Sequence, residues 1–272
     1  MGTPRPLPTF DESQLARAVQ NRIYPSMRPS IPGLDYYSDW RPAAGAASDY
    51  LDYFEMEDGH LGLAIGDVSA QGVEAALLTS ALHSIVRALR FSPGRNVADL
   101  VSNIDELFSE ICPDNCYATL FFGRYDPILG RLHYVNAGHE PPFVLRKKGT
   151  RHRNMRLESG GPWLGMLRKS AYREGVVALE PGDLLVAYTD GLCEATNAQG
   201  EEFGWRRFLD CLESGTGRRA RELVEEVFTA ADEFTAGAPQ LDDMTLWLGH
   251  IEEVHALPIL QLMDHCEEPA AA

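Results

Sequence analysis

Apolar positions along the chain recur either with helical spacing or with strand-like alternation, and the two patterns fall into separate blocks. Helical spacing predicts helices over 11–24, 73–90, 97–111, 204–213 and 218–235. Alternation and short apolar runs predict strands over 34–40, 50–56, 60–68, 116–126, 130–138, 142–148, 183–191 and 244–252. Because the strands follow one another in hairpin-like runs, the pattern favours an α+β fold with antiparallel sheets.

The organisation of the chain favours one domain over residues 14–252, since no linker rich in Pro, Gly or Ser divides it. Three prolines in the first ten residues predict an N-terminal arm, 1–13, and the acidic segment 253–272 is expected to be a tail. With 272 residues, of which 44% are apolar, the chain can fill a sizeable core.

The charge of the chain indicates which classes of binding partner are not expected. Lys and Arg number 24 and Asp and Glu number 40, which gives a formal net charge of −16. Nucleic acid and anionic membranes both require a basic face, so neither is expected as the main partner. No apolar run approaches the roughly 18 residues that cross a bilayer, and the N-terminus is too polar for a secretory signal. Five cysteines without a disulfide or zinc spacing predict reduced thiols in a cytoplasmic protein.

Aspartates stand at the ends of the predicted strands. Asp67 and Asp190 each end a buried strand, Asp242 comes just before another, and Asp49 begins an extended segment. One interpretation is that each is a turn former or a helix cap. The other is that they share a cation, because a carboxylate at the end of an apolar strand is costly to desolvate unless something pairs with it. Carboxylates suit hard ions such as Mg²⁺ or Mn²⁺.

Several motifs then occur in a characteristic order from about Gln14 to Ile251. They are Trp40-Arg41-Pro42-Ala43, Ser48-Asp49-Tyr50-Leu51-Asp52, Ile65-Gly66-Asp67-Val68-Ser69-Ala70-Gln71-Gly72, Asn136-Ala137-Gly138-His139-Glu140-Pro141-Pro142, Tyr188-Thr189-Asp190-Gly191 and Asp242-Asp243-Met244-Thr245. With these motifs the chain resembles the bacterial SpoIIE/RsbU-type serine phosphatases, a branch of the metal-dependent protein phosphatase 2C (PPM) family.

The resemblance implies a four-layer α-β-β-α sandwich of two antiparallel sheets flanked by helices, with a two-metal site in the cleft between the sheets. Carried over residue by residue, it implies that Asp67 bridges two divalent cations, Mn²⁺ or Mg²⁺, and that the Val68 carbonyl binds one of them. Asp190 and Asp242 are expected to hold the second metal, and Asp49 to bind a coordinated water or a third ion. Asp67, Asp190 and Asp242 are therefore the expected catalytic residues.

The same resemblance implies a metal-dependent protein serine/threonine phosphatase that works through a metal-bridging hydroxide. It suggests as substrate a phosphorylated anti-sigma-factor antagonist in a bacterial partner-switching pathway, with a regulatory protein as a further partner. The alternative is a catalytically weak or inactive module that binds a signalling partner. Ala47-Ser48 and Ala70 motivate that alternative, because they stand where relatives have glycine. Hydrolysis of a small phosphorylated metabolite also stays open.

Four side chains of these motifs either allow two interpretations or are expected to have a lesser role. His139 is either a general acid or part of a structural turn, and Arg41 either meets substrate phosphate or is structural. Asp52 and Asp243 match family positions as well, and we expect them to support the site and not to bind the metal.

Overall fold

The structure, a computed structural model, describes residues 12–25, 27–43, 45–56, 59–90, 96–167 and 170–253. The helices in this part of the chain are α1 (Glu12–Ile23), α2 (Gly72–Leu89), α3 (Val97–Ser109), α4 (Asp190–Cys193), α5 (Gly204–Ser214) and α6 (Ala220–Thr235). The strands are β1 (Leu34–Arg41), β2 (Asp49–Glu55), β3 (Leu61–Val68), β4 (Ala118–Asp126), β5 (Arg131–Ala137), β6 (Phe143–Lys148), β7 (Arg151–Arg156), β8 (Gly160–Gly161), β9 (Gly175–Ala178), β10 (Leu184–Tyr188) and β11 (Met244–Ile251).

The strands form two sheets. The first, called the β1 sheet, has the order β1-β11-β10-β6-β7. The second, the β2 sheet, has the order β2-β3-β4-β5-β8, with β9 paired to the first half of β5. Every pairing is antiparallel except the two-residue pairing of β5 with β8. The expectation of an α+β fold built on antiparallel sheets is confirmed.

Three apolar clusters show how the layers pack. The central cluster contains side chains of both sheets, such as Ile65 of β3 and Trp247 of β11, and lies between them. A second cluster joins the outer face of the β2 sheet to α2 and α3. A third joins the outer face of the β1 sheet to α5 and α6. The layers are therefore helices, sheet, sheet and helices, which confirms the four-layer sandwich.

The alternation of side chains along the strands decides which residues enter the cleft between the sheets. Leu61, Leu63 and Ile65 of β3 belong to the central cluster, so Asp67, two residues further along, lies on the same side of the strand. Leu51 and Tyr53 of β2 belong to that cluster too. Since Asp49 precedes Leu51 by two positions, the carboxylates of β2 and β3 share one end of the cleft.

The predicted helices and strands are present within a few residues of their expected bounds. The exception is the strand expected over 183–191, which ends at Tyr188 and is followed by the one-turn helix α4, beginning at Asp190. The expectations did not include β7, β8 and β9. Of the expected arm and tail, residues 1–11 and 254–272 lie outside the described part of the chain.

Two further predictions from the sequence concern membrane-spanning segments and the state of the cysteines. None of the helices within the described ranges is long and apolar enough to cross a membrane. The four cysteines that the structure describes, Cys112, Cys116, Cys193 and Cys211, are free thiols. Cys266 lies outside the described residues.

Candidate metal centre

Four chain segments bring their carboxylates to one end of the cleft. Asp49 and Asp67 face each other directly in the antiparallel register of β2 and β3. Asp190 begins α4 just after β10, and Asp242 lies two residues before β11. The backbones of these last two segments touch: a Cβ on Gly191 would lie only 2.1 Å from the Asp243 carbonyl oxygen and 3.1 Å from the Asp242 Cβ. Glycine at 191 is therefore needed for this close approach.

Asp49 is buried and is held by hydroxyl groups from the opposite sheet. Its Oδ2 accepts hydrogen bonds from Thr189 Oγ1 at 2.8 Å and from Thr245 Oγ1 at 2.5 Å. Burial raises the pKa of the Asp49 carboxyl well above its usual range, and the bond from Thr245 opposes that shift. Neither threonine was predicted to take part in the site, although both lie within the sequence motifs that carry Asp190 and Asp242.

Asp243 organises the loop that leads into Asp49. Its Oδ1 accepts the N–H of Ala43 at 2.7 Å, and its Oδ2 accepts the N–H of Ser48 at 2.7 Å and the Ser48 hydroxyl at 3.2 Å. These bonds satisfy both oxygens of a side chain that is 5% exposed. The structure thus gives Asp243 the supporting role expected for it.

Asp67 has a carboxylate oxygen without a partner. Its Oδ1 is buried and accepts no hydrogen bond in the structure. Burial raises the pKa of this carboxyl to about 6, a hydrogen bond with Ser48 opposes the shift, and the charges of Asp242 and Asp190 add to it. A buried, unpartnered oxygen among like charges is an arrangement that a bound cation would stabilise.

Of the other expected ligands, Val68 is buried, whereas Asp190 and Asp242 are exposed. The Val68 carbonyl accepts the N–H of Ala70 at 2.7 Å, which leaves its second lone pair. Asp242 Oδ1 accepts the N–H of Asp243 at 2.8 Å, and Asp190 is exposed. Burial raises the pKa of Asp242, and the charge of Asp190 adds to the shift. Within the described ranges, no three Asp, Glu, His or Cys side chains are arranged closely enough to hold a metal ion as they stand.

The sequence profile of the family described as Stage II sporulation protein E (SpoIIE) matches residues 57–251. This chain belongs to the SpoIIE family. The expected resemblance to SpoIIE/RsbU-type members of the PPM group is confirmed.

The chain is similar in sequence to two curated relatives and in structure to one solved domain. The chain is 28% identical to protein IcfG of Synechocystis over 261 residues, 86% of this chain and 40% of IcfG. It is 27% identical to the phosphoserine phosphatase RsbU of Bacillus subtilis over 218 residues, 80% of this chain and 63% of RsbU. The chain thus spans less than two thirds of the length of either relative. The SiaA-PP2C domain of Pseudomonas aeruginosa superposes with a TM-score of 0.76 at 21% identity, covering 89% of this chain and 96% of that domain.

His139 connects the two sheets of this SpoIIE-family chain. Its Nε2 lies 3.1 Å from the Tyr188 carbonyl oxygen, which can only accept, so Nε2 carries the proton. Its Nδ1 then accepts from the Thr119 hydroxyl at 3.0 Å, and Thr119 Oγ1 accepts the N–H of Asp67 at 2.9 Å. Burial lowers the pKa of His139 to about 4. With both nitrogens engaged, His139 has the structural role and not that of a general acid.

Arg41 and Asp52 are likewise engaged in contacts away from the cleft. Arg41 Nη1 donates to Asp232 of α6 at 2.6 Å, and its guanidinium lies 4.4 Å from the Phe228 ring centroid. Asp52 is fully buried and accepts two hydrogen bonds from Arg87 of α2, both at 2.6 Å. Arg41 is therefore structural, and Asp52 anchors α2 to β2.

The residues that replace the family's glycines fit without backbone strain. Among the described residues that are not glycine, Ala236 is the one with a positive φ, so Ala47, Ser48 and Ala70 adopt ordinary conformations. Ala47 is fully buried, and its backbone is bonded to the side chain of Gln20. The altered segments thus leave the Asp49 loop packed.

Proposed function

We propose that this chain is a divalent-metal-dependent phosphatase that hydrolyses phosphoserine or phosphothreonine in a protein. The observation that carries the proposal is the buried, unpartnered Oδ1 of Asp67, which faces the charges of Asp190 and Asp242. Membership of the SpoIIE family supports it, as does the similarity to a relative named phosphoserine phosphatase.

The donor set fits hard divalent cations, because it consists of carboxylates and one backbone carbonyl. Asp67 would hold two cations, Mn²⁺ or Mg²⁺, and the Val68 carbonyl would contribute to binding the first. Asp190 and Asp242 are assigned to the second, and Asp49 to a third cation or a water beside them. The side chains of Asp190 and Asp242 are exposed, so both can turn toward a cation beside Asp67.

When bound, two such cations lower the pKa of a water molecule and neutralise phosphoryl oxygens. The protein's own residues hold the carboxylates of the site in position. Thr189 and Thr245 fix the Asp49 carboxylate, and Asp243 fixes the loop in front of it. His139 keeps its proton on Nε2 and ties the backbone beside Asp67 to the strand that leads to Asp190. His139 is therefore not the group that protonates the leaving serine alkoxide.

For the substrate we propose a phosphorylated anti-sigma-factor antagonist of a partner-switching pathway, with a regulatory protein acting on the phosphatase in the cytoplasm. The support is the similarity to RsbU over 80% of this chain. The free thiols of the described cysteines are compatible with a reducing compartment.

The test is release of phosphate from a phosphoserine peptide and from p-nitrophenyl phosphate, with Mn²⁺, with Mg²⁺ and with EDTA. We expect turnover that depends on the metal and falls at least about a hundredfold in Asp67→Asn and Asp190→Asn. Asp114→Asn, which changes an exposed aspartate outside the centre, is the matched control. Equal turnover of wild type and Asp190→Asn, or turnover undiminished by EDTA, would refute the assignment.

A second candidate is a module that binds a phosphorylated signalling partner without hydrolysing it. The observation that favours it is that the acidic side chains in the described ranges do not converge on one point as they stand. Wild-type protein that binds the phosphopeptide yet shows no turnover at millimolar Mn²⁺ or Mg²⁺ would establish this candidate.

A further inference from the structure

A cavity of about 810 Å³ lies between the end of α1, the segment that follows it and the C-terminal half of α2. Its lining includes the last residues of β2, whereas Asp49 is the first residue of that strand. A seven-residue strand spans about 20 Å, so the cavity is separate from the metal centre. We call it the arginine cleft. Besides Glu55 and His83, its lining includes four arginines, Arg22, Arg28, Arg87 and Arg90.

The charge of this lining is opposite to that of the whole chain. Four guanidinium groups and one carboxylate line the cleft, in a protein whose formal net charge is −16. Such a local concentration of guanidinium groups creates a positive potential that attracts anions.

Two of these guanidinium groups have no carboxylate partner among the residues that the structure describes. Arg87 forms an ion pair with the buried Asp52, so its positive charge is neutralised within the fold. Arg22 and Arg28 form no ion pair with any carboxylate in the described ranges. Arg28 Nη1 donates to the Tyr36 carbonyl at 3.0 Å, which holds its side chain beside the cleft.

We propose that the arginine cleft binds a small anion that carries phosphate groups. Guanidinium groups match phosphate oxygens with paired, charge-assisted hydrogen bonds, and the volume is that of a site for a small molecule. Arg22 and Arg28 contribute the positive charge that no carboxylate in the described part of the chain neutralises.

The position of the cleft connects it to the metal centre through α1. Gln20, one turn before the cleft, is hydrogen-bonded to Ala47 in the loop that carries Asp49. The Tyr24 hydroxyl, in the cleft lining, lies 3.4 Å from the Asp49 carbonyl oxygen. An anion bound by Arg22 and Arg28 therefore holds the end of α1, the helix whose Gln20 anchors the loop before Asp49.

The test is calorimetric titration of the full chain with inorganic tripolyphosphate, in EDTA and about 0.1 M salt, so that the metal centre takes no part. We expect binding to weaken about tenfold in Arg22→Ala and in Arg28→Ala. Arg22→Lys should fall between Arg22→Ala and wild type, because lysine keeps the charge without the paired geometry. Arg17→Ala, an exposed arginine of α1 outside the cleft, should bind as wild type does.

Further variants separate this proposal from a role of the metal centre. Asp190→Asn should leave tripolyphosphate binding unchanged, and loss of binding in that variant would overturn the proposal. Absence of binding to wild type, or equal affinity in Arg22→Ala and wild type, would also overturn it. Stronger binding of a hexaglutamate peptide than of tripolyphosphate would overturn the assignment to phosphate. Because Arg22 is exposed, Arg22→Ala should fold normally, and its circular dichroism spectrum checks this.

Discussion

The side chain of Gln20 forms two hydrogen bonds with the backbone of Ala47. Gln20 Nε2 donates to the Ala47 carbonyl at 2.7 Å, and Gln20 Oε1 accepts the Ala47 N–H at 2.8 Å. Gln20 is 1% exposed, so water cannot replace either bond easily. The first helix is thereby part of the frame that holds the Asp49 loop.

We expect Gln20→Ala to lower the free energy of unfolding by about 2 kcal/mol, because it leaves two buried backbone groups unpaired. It should also reduce phosphatase activity, since the loop before Asp49 loses its anchor. Urea unfolding and the p-nitrophenyl phosphate assay measure the two effects. Asn21→Ala changes the exposed neighbour and should behave as wild type. A Gln20→Ala protein as stable as Asn21→Ala would contradict this view of α1.

Thr245→Val should destabilise the protein by about 2 kcal/mol, because the hydroxyl donates to the buried carboxylate of Asp49. Its loss should also raise the pKa of Asp49 further, since that hydrogen bond opposes the effect of burial. Chemical denaturation measures the first effect. Thr229→Val, at an exposed position of α6, provides the control and should change stability by less than about 0.5 kcal/mol. Similar values for both variants would show that the bond to Asp49 contributes little.

Arg87→Ala should be strongly destabilising, by about 3 kcal/mol, because it leaves the fully buried Asp52 without its partner. The double variant Asp52→Leu/Arg87→Met should lose less, since it removes the charge that would be left unpaired. Arg206→Ala removes the exposed pair with Asp210 and should change stability by about 0.5 kcal/mol or less. Thermal and urea unfolding of the three proteins tests this, and a double variant less stable than Arg87→Ala would disprove it.

The lowered pKa of His139 predicts that the protein loses stability in acid. Its pKa in the fold, about 4, lies below the value of about 6.5 expected in the unfolded chain. As the pH falls from 6.5 to 4, His139 becomes protonated in the unfolded chain but stays neutral in the folded protein. The free energy of unfolding therefore decreases by up to about 3 kcal/mol. Above pH 6.5 this contribution is complete.

Urea unfolding between pH 4 and pH 7 measures that loss for wild type and for His139→Gln. The variant should be less stable at pH 7, because it loses the contacts to Thr119 and Tyr188. Its stability should nevertheless depend less on pH over this range, since glutamine does not titrate. Parallel pH profiles for the two proteins would show that His139 is not the group responsible.

Most of the fold could be predicted from the sequence, because its central strands carry strong local patterns. The run Leu61–Val68 is apolar on both faces, as a strand between a sheet and helices must be. The strand β7 was not predicted because its sequence, Arg151–Arg156, is polar and mostly exposed at the edge of the sheet. It forms through its pairing with β6, a tertiary effect that local patterns do not contain.

The sequence predicted the carboxylates of the candidate site, but not the side chains that hold these carboxylates by hydrogen bonds. Asp49 and Asp67 could be recognised because charged residues at strand ends are conspicuous in an apolar sequence. Thr189 and Thr245 could not, because threonine is ordinary in strands, and its hydroxyl gains meaning only when the two sheets meet at Asp49. The two roles of His139 could be separated only by the partners of its two nitrogens.

The carboxylates proposed as ligands belong to different sheets. Asp49 and Asp67 come from β2 and β3, whereas Asp190 and Asp242 flank β10 and β11. Cations held among them would cross-link the two halves of the sandwich, much as a disulfide joins two segments. Because binding to the folded state alone stabilises it in proportion to the logarithm of ligand concentration, the resistance of the sandwich to splitting open should rise with free Mn²⁺ or Mg²⁺.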